Sequence, residues 1–462
     1  MTTKNRIVAA VDIGTTKVVA ILGIKDEFGK LNVLGCGEAE TNGVIHGSVQ
    51  NVGEVARAVK MAVNRCKTSA GMQQADIKNV FVGIAGQNIR DTVYSHSKCI
   101  TDGNDTNGRT IVQGDVDSLT EEVYNLSKEP GEEIIHVIPL SFHVDLTEVG
   151  LNPVGFVGRK LVGDFYVAVG KVNSVRNIRL AFEMAGFNIV KIILEPLASA
   201  EAVLTDEEKE AGVLVADIGG GTTDIAVFQD KTLAATSFVP FGGVSVTNDI
   251  NSACHLIPRQ AEALKLQYGY ALCGKDFKKK LAVVNAFGRS TEISFADLAN
   301  IINARLDEIL GGIAHFIESR GYSGKLPAGV VLTGGSALMK NISQLTRFRL
   351  GVENVRIGGV RNEYLSSGGD NTQTVKYSAA VGLLIKGSEY YDRLDKMKKM
   401  AEEKRVQNPD APSGGGKKDS TPSSDKKVEE TKEKSGGFWN KIKSFANGIA
   451  KDFLTDSEGS KV

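Results

Sequence analysis

Two stretches of this chain place an aspartate, glycines and threonines between apolar runs, a pattern that suits phosphate chemistry. They are VAAVDIGTTKVVAIL at 8–22 and VLVADIGGGTTDIAVF at 213–228. Each predicts a strand–turn–strand hairpin whose successive backbone N–H groups can face an anion, because glycine permits close approach and positive φ. The pattern yields these candidate phosphate ligands: Gly14, Thr15, Thr16, Lys17, Gly219, Gly220, Gly221, Thr222 and Thr223.

Each hairpin also carries an aspartate at the end of its first strand, Asp12 and Asp217. Such carboxylates suit Mg²⁺ held mostly through water, since Mg²⁺ retains several waters and takes few protein ligands. The charge of Lys17 suits the β- and γ-phosphates of a nucleotide. One such turn alone could be an ordinary hairpin, but its repetition favours two related halves that share one site.

Three further stretches could complete a nucleotide site. GVVLTGGSALM at 329–339 is an apolar strand followed by a predicted helix start, where paired glycines let a nucleotide pack closely. RQAEALKLQYG at 259–269 and IILEPLASAEAVL at 192–204 are predicted helical segments. The paired glycines Gly334 and Gly335, with Ser336, are candidates for packing against a nucleotide, and Glu195, just before the first turn, is a candidate for orienting an attacking water. Glu262 and Lys265 are three residues apart and would share one helix face. The alternatives are a helix-start turn, a surface ion pair at Glu262 and Lys265, and a helix-capping carboxylate at Glu195.

Short strand-like apolar runs alternate with segments of helical period over 1–390, which predicts an α/β protein. The 462 residues include 55 Lys plus Arg and 55 Asp plus Glu, a balance that disfavours a nucleic-acid binder. No apolar run approaches the ~18–20 residues of a membrane span, and the N-terminus has no secretory pattern, so neither a membrane-spanning nor a secreted protein is expected. The five scattered cysteines predict reduced thiols in a cytosolic protein, and the histidines have no metal-ligand spacing.

The last sixty residues change in character. Ala401–Gly437 is charged and poor in apolar residues, which predicts a disordered linker. FWNKIKSFANGIAKDFL then predicts an amphipathic helix with a flanking set of lysines, typical of an interfacial membrane binder. The predicted membrane-binding residues are Phe438, Trp439, Ile442, Phe445, Ile449 and Phe453. The alternative is a helix that docks in a groove of a partner protein.

Taken in order, these pieces resemble the motifs of the actin/Hsp70/sugar-kinase ATPase superfamily, with VKYSAAVGLLI at 375–385 as a further match. The resemblance implies two lobes with ATP and magnesium in the cleft between them. It also implies that Glu262 and Lys265 lie along the adenosine, with Gly334, Gly335 and Ser336 on its other side. An Hsp70-type chaperone is disfavoured because too few residues follow Ile385 for a substrate-binding domain. A soluble kinase of the same fold remains an alternative, although it does not explain the tail.

Within this superfamily the chain is similar to the FtsA family of bacterial cell-division proteins. The matching stretches include GVIHGSV at 43–49, GIAGQNI at 83–89 and HVIPLSFHVD with GLNPVGFVGRKL at 136–161. The resemblance implies these parts: subdomain 1A over 1–83, 164–200 and 371–390, an inserted subdomain 1C over 84–163, subdomain 2A over 201–244 and 319–370, subdomain 2B over 245–318, a flexible linker over 391–437 and a membrane-targeting helix over 438–455.

The same resemblance implies a polymerising, ATP-binding scaffold that tethers a ring of the tubulin-like protein FtsZ to the cytoplasmic side of the inner membrane at the division site. Its implied partners are the C-terminal peptide of FtsZ, further copies of itself, other division proteins and anionic lipid. Arg305 is a candidate contact for the FtsZ peptide, or else an intra-helix partner of Asp307 or Glu308. At most slow ATP hydrolysis is expected, with the nucleotide acting as a conformational switch. A pilus-assembly scaffold of PilM type is the nearer alternative.

Overall fold

A computed structural model describes residues 6–26, 28–101, 108–126, 128–272, 280–284, 288, 290–361 and 375–407. The chain forms two compact units, Met1–Ala401 and Glu402–Val462, and only residues 402–407 of the second are described. The predicted membrane-binding residues therefore lie outside the described residues. Of the helices that are described, none has both the length and the apolarity needed to cross a bilayer.

The strands are β1 (Ile7–Ile13), β2 (Lys17–Lys25), β3 (Leu31–Glu40), β4 (Val44–Ile45), β5 (Ser48–Val49), β6 (Asn79–Ile84), β7 (Ile89–Cys99), β8 (Arg109–Thr110), β9 (Glu132–Val144), β10 (Thr147–Gly150), β11 (Val157–Gly158), β12 (Lys160–Lys171), β13 (Asn188–Leu194), β14 (Val213–Ile218), β15 (Thr223–Gln229), β16 (Thr232–Val239), β17 (Lys280–Val284), β18 (Ser290–Ser294), β19 (Gly329–Thr333) and β20 (Val355–Ile357). The helices are α1 (Val52–Ser69), α2 (Gln113–Tyr124), α3 (Val172–Ala185), α4 (Glu195–Val203), α5 (Asp206–Ala211), α6 (Gly243–Cys254), α7 (Pro258–Tyr268), α8 (Phe295–Ser319), α9 (Ile342–Leu350) and α10 (Ser378–Gln407), with a 3-10 helix at Gly335–Leu338.

Two five-stranded sheets share one topology, which explains the internal sequence repeat. The first has the order β13-β6-β1-β2-β3 and the second the order β16-β15-β14-β19-β20. In each, three consecutive antiparallel strands are extended by two parallel strands next to the first of them. The two aspartates therefore occupy equivalent places, at the end of β1 and at the end of β14. The predicted α/β class is confirmed.

Helices cover both faces of the first sheet. Glycines in β3 let α1 lie against the strand, since a Cβ on Gly37 would stand 2.2 Å from the Ala62 carbonyl oxygen. Leu384 of α10 packs on the opposite face, against Gly23. The second sheet shares one apolar core with α6, α7, α8 and α9, so segments predicted as separate subdomains 2A and 2B are joined by a common interior.

A four-stranded sheet, β10-β9-β12-β7, is inserted within the first half of the sequence, between β6 and β13, and packs on α2 with an apolar cluster of its own. We expected the insert to end at residue 163. The structure differs, because β12, the last strand of this sheet in the sequence, continues to Lys171. Phe165 and Val167 on one face of β12 belong to the insert's cluster, whereas Tyr166 and Ala168 on the other face belong to the core of the first sheet. One strand thus serves two cores, and no break in the sequence marks the change.

The flexible linker expected from residue 391 is wrong for its first part, because α10 continues to Gln407. This stretch, DRLDKMKKMAEEKRVQ, is rich in Lys, Arg, Glu and Met, which favour helix. Tertiary contacts also hold its start: Asp392 pairs with Lys25 at 2.5 Å, and the Arg6 guanidinium lies 4.6 Å from the ring centre of Tyr391.

Candidate functional site

The two glycine-threonine turns meet face to face. A Cβ on Gly220 would lie 2.9 Å from Cγ2 of Thr16, and a Cβ on Gly221 would lie 2.4 Å from Oγ1 of Thr15. Only glycine allows this approach between the turn after β1 and the turn after β14. The structure thus brings the two predicted phosphate-binding turns, more than 200 residues apart in sequence, to one place.

Four carboxyl groups gather beside these turns. Asp12 and Asp217 come from the two first strands, Asp224 faces Asp217 across the β14–β15 pair, and Glu195 begins α4. Burial, followed by repulsion from Asp217, raises the pKa of Asp12 to about 7, although Lys17 opposes the shift. The same two causes raise the pKa of Asp224 to about 7. Burial and the nearby aspartates also raise the pKa of Glu195 well above its ordinary value.

This crowding of like charge is what a bound cation would relieve. Asp12 and Glu195 share a hydrogen bond, and Ser199 Oγ donates to Asp217 Oδ2 at 2.6 Å. Within the described ranges, no three carboxylate, histidine or cysteine groups converge closely enough to ligate a metal directly. A cation held mainly through water fits such a donor set, so the magnesium assignment stays a prediction.

The predicted nucleoside residues form a polar group next to the second turn. Glu262 and Lys265 both lie on α7, with 2.7 Å between the carboxylate and the ammonium. Lys265 Nζ also donates to the Gly243 carbonyl oxygen at 2.9 Å, and Ser336 Oγ donates to the Gly219 carbonyl oxygen at 3.0 Å. The ion pair considered from the sequence is therefore present, but it is anchored to the first turn of α6 rather than lying free on the surface.

The paired glycines Gly334 and Gly335 come directly before Ser336. Gly334 has φ +86°, and a Cβ there would lie 2.3 Å from Asp217 Oδ1, so the position requires glycine. Gly335 opens onto free space, since a Cβ would meet nothing within 4 Å. The expected helix after them is a single 3-10 turn, Gly335–Leu338. An open glycine beside Lys265 and Ser336 suits a flat ring that packs on the backbone.

Three predicted phosphate ligands have partners within the protein. Lys17 Nζ lies 3.0 Å from Glu38 Oε1 and 4.8 Å from the ring centre of Tyr377. Thr222 Oγ1 donates to Asp224 Oδ2 at 3.1 Å. Thr223 is fully buried at the start of β15, and its hydroxyl donates to the Phe241 carbonyl oxygen at 3.0 Å. Thr223 thus stabilises the turn, and Lys17 would have to leave Glu38 to reach a phosphate.

Sequence reasoning missed two residues at this site. Asp224 lies within the strand after the second turn, and the sequence pattern does not mark it as a site residue. Its place opposite Asp217 nevertheless follows from a tight hairpin. His46 lies at the tip of the β4–β5 hairpin with φ +46°, and its Nδ1 is 3.5 Å from the Gly221 carbonyl oxygen. His46 is one of six described non-glycine residues with positive φ, an uncommon backbone conformation that the sequence alone does not reveal.

The local contacts of Glu195 and Arg305 decide two further alternatives. Glu195 is the first residue of α4 rather than its cap, and Leu194 takes the cap position. Arg305 contacts Asp249 through Nε at 2.6 Å and Nη2 at 2.9 Å, and its Nη1 contacts Glu308 at 2.6 Å. The intra-helix pair with Glu308 is thus present, together with a cross-helix pair, whereas Asp307 pairs with Arg349.

Comparison with solved structures supports the fold. The chain resembles a chain of the "PilM-PilN type IV pilus biogenesis complex", with a TM-score of 0.59, 16% identity, and coverage of 82% of this chain and 98% of the other. A family model for "Hsp70 protein" matches residues 173–232. Two matching half-sheets with facing phosphate-type turns define a protein of the actin-like ATPase fold class.

Comparison with sequences gives the family. The model for "Cell division protein FtsA" matches residues 214–382, and that for "SHS2 domain inserted in FTSA" matches residues 94–169. FtsA of Neisseria meningitidis serogroup B is 33% identical over 388 residues, covering 83% of this chain and 91% of that protein. FtsA of Escherichia coli K12 is 31% identical over 398 residues, covering 84% and 91%. The chain therefore belongs to the FtsA family of cell division proteins, and the resemblance drawn from its motifs is confirmed.

Proposed function

We propose that this protein is an ATP-binding, actin-like scaffold that polymerises and tethers an FtsZ ring to the cytoplasmic side of the inner membrane at the division site. The observation that carries the nucleotide part is the meeting of the two hairpin turns, each with its own aspartate. A phosphate chain held there would contact backbone N–H groups from both halves. Membership of the FtsA family supports the division part and partners within a division complex.

ATP with magnesium is the nucleotide that best fits the charges. The four carboxyl groups would repel a triphosphate unless a cation lies between them, and that cation would also relieve their own repulsion. Lys265 and Ser336 would hold the nucleoside against Gly335. Glu195 is the candidate for orienting a water. We expect slow hydrolysis, and a turnover of ~1–10³ per second, as in metabolic enzymes, would contradict a switch-like role.

The tail carries the membrane part of the proposal. Burying six large apolar side chains contributes roughly 1.5–3 kcal/mol each as an upper bound, and each lysine near anionic lipid adds about 1 kcal/mol. Ordering some 17 residues costs on the order of 1–2 kcal/mol apiece, which is as large as this gain or larger. One tail should bind weakly, so stable attachment requires several tails presented by a polymer.

Co-sedimentation with anionic vesicles tests this tether. The full chain should pellet with vesicles, more so with Mg²⁺ and ATP, whereas a truncation after Lys434 should stay in solution. Phe445→Ser should release the protein, because Phe445 lies on the apolar stripe. Asn447→Ser, on the opposite side of the predicted helix, is the matched control and should still pellet. If the truncated chain pellets as well as the full chain, the tail is not the anchor.

The proposal also includes docking of the FtsZ C-terminal peptide on residues 245–318. Arg305 would have to exchange Glu308 or Asp249 for an acidic group of the peptide. Fluorescence anisotropy with the labelled peptide would measure this: Arg305→Ala should weaken binding, and Arg349→Ala, which also removes an ion-paired arginine, should not. Equal affinity for both variants would remove Arg305 from the docking site.

A further inference from the structure

The insert is joined to the second sheet by a polar contact on its edge strand, β16. The fully buried Tyr166, on β12 of the insert, shares a hydrogen bond with the hydroxyl of Thr236 on β16. Asp91, on β7, accepts from the Thr236 backbone N–H at 3.5 Å and pairs with Arg320 at 2.9 Å, just after α8. Asp91 stands opposite Ala168 in the β7–β12 register, on the same face as Tyr166.

The C-terminal end of β16 leads directly into the residues that are hydrogen-bonded to the second phosphate-type turn. Thr223 pairs with Val239, the last residue of β16, and its hydroxyl binds the Phe241 carbonyl oxygen. The backbone N–H of Gly243 donates to the Gly219 carbonyl oxygen at 2.9 Å, and that of Val244 to the Gly220 carbonyl oxygen at 2.8 Å. Three residues of strand, about 10 Å, separate Thr236 from Val239.

We propose that Tyr166 and Asp91 are positioning residues for the second nucleotide turn, acting through β16. The insert contacts β16 at Thr236, and β16 leads into the 239–244 segment, which is hydrogen-bonded to the carbonyl groups of the second turn. The position of this turn relative to Thr15 and Thr16 therefore depends on the insert. By reciprocity, any partner that displaces the insert changes nucleotide affinity, and nucleotide binding changes the affinity for that partner. The part that concerns affinity rests on the proposed nucleotide site.

A double-mutant cycle tests the link on the full chain. Tyr166→Phe and Thr236→Val each remove one partner with little change of shape. Loss of one buried hydroxyl pair corresponds to a two- to tenfold change in an equilibrium constant. Each variant should raise the dissociation constant for Mg·ATP by that factor at most, because only the difference in this contact between the free and the bound protein affects affinity. The double variant should be no weaker than the single ones, because both disrupt one contact.

Tyr124→Phe is the matched control. Tyr124 lies in the insert, and its hydroxyl accepts from the Val137 backbone N–H at 3.2 Å, without involving β16. This variant should leave the dissociation constant unchanged even where its thermal midpoint falls as much as that of Tyr166→Phe. Arg320→Gln, at a half-exposed position, is a second probe that should still fold, and it should weaken Mg·ATP binding in the same direction.

Amide hydrogen exchange gives a readout that does not need ATP. In Tyr166→Phe, the Gly243 and Val244 amides should exchange faster, while those of β14 should not change. Unchanged exchange and affinity in folded Tyr166→Phe and Arg320→Gln would overturn the proposal, as would an equal effect of Tyr124→Phe. If wild-type protein binds no nucleotide, the proposed function fails, but faster exchange at 243–244 would still establish the link through β16.

Discussion

Replacing Asp224 with asparagine should stabilise this protein at high pH. Asp224 is buried, and its pKa lies at about 7 instead of 3.8 because burial and Asp217 disfavour the charged form. Each tenfold change in an acid constant corresponds to about 1.4 kcal/mol, so ionising Asp224 in the folded chain costs roughly 4 kcal/mol. Asparagine removes that cost and forfeits about 0.5–1.5 kcal/mol of hydrogen bonding to Thr222 or the Gly86 backbone N–H.

The stability of the wild type and that of the asparagine variant should depend differently on pH. Between pH 4 and 7 the folded state keeps the Asp224 proton that the unfolded chain has lost, so the stability of the wild type falls as pH rises through this window. Above pH 7 the loss is complete. The asparagine variant lacks this decline, so it should be slightly less stable than wild type at pH 4.5 and more stable by about 2–3 kcal/mol at pH 8.5.

Thermal midpoints and urea titrations without nucleotide, from pH 4.5 to 8.5, would measure the difference. Asp115→Asn is the control of opposite sign. The Arg109 guanidinium, 2.6 Å away, lowers the pKa of Asp115, so this substitution should cost stability at neutral pH and less as pH falls. If Asp224→Asn destabilises the protein equally at every pH, the pKa of Asp224 is not raised by burial and by Asp217.

Three other substitutions have defined expectations. Gly382→Ala in α10 should lower the free energy of unfolding by more than about 2 kcal/mol, because the added Cβ would lie 1.8 Å from the Ala198 carbonyl oxygen. Gly114→Ala in α2 has nothing within 4 Å of its Cβ and should stabilise by roughly 0.5–1 kcal/mol; equal thermal midpoints for the two variants would contradict the packing described for α10. Glu195→Gln should keep Mg·ATP affinity, since it removes a repelling charge, yet reduce the slow release of phosphate at least tenfold; unchanged release would remove Glu195 as the water-orienting residue.

The sequence was most informative where a local pattern and a required geometry coincide. Aspartate, glycine and threonine between two apolar runs predict a hairpin turn wherever they occur, and the repeat therefore indicated two equivalent half-sheets. The pair Glu262 and Lys265 could be placed on one helix face by spacing alone. Gly334 could be predicted because a turn between a buried strand and a helix start favours a residue that tolerates positive φ.

Other features depend on contacts between distant segments. Lys17 is held by Glu38 and Tyr377, which come from a neighbouring strand and from a segment 360 residues later. The double role of β12 leaves no mark, because apolar residues on both faces suit either core. The extension of α10 is not predictable from charge alone, because a dense run of Lys and Glu suits a disordered segment and also favours helix.

Titration of the purified full chain with Mg·ATP, followed by calorimetry, tests most directly whether the two turns form one site. One nucleotide should bind per chain. Gly221→Val should abolish binding while the thermal midpoint shows that the protein is folded, because the new side chain would occupy the space of Thr15 Oγ1. Gly114→Ala should bind as wild type does. Two nucleotides per chain, or undiminished binding by folded Gly221→Val, would contradict a single site shared by both halves.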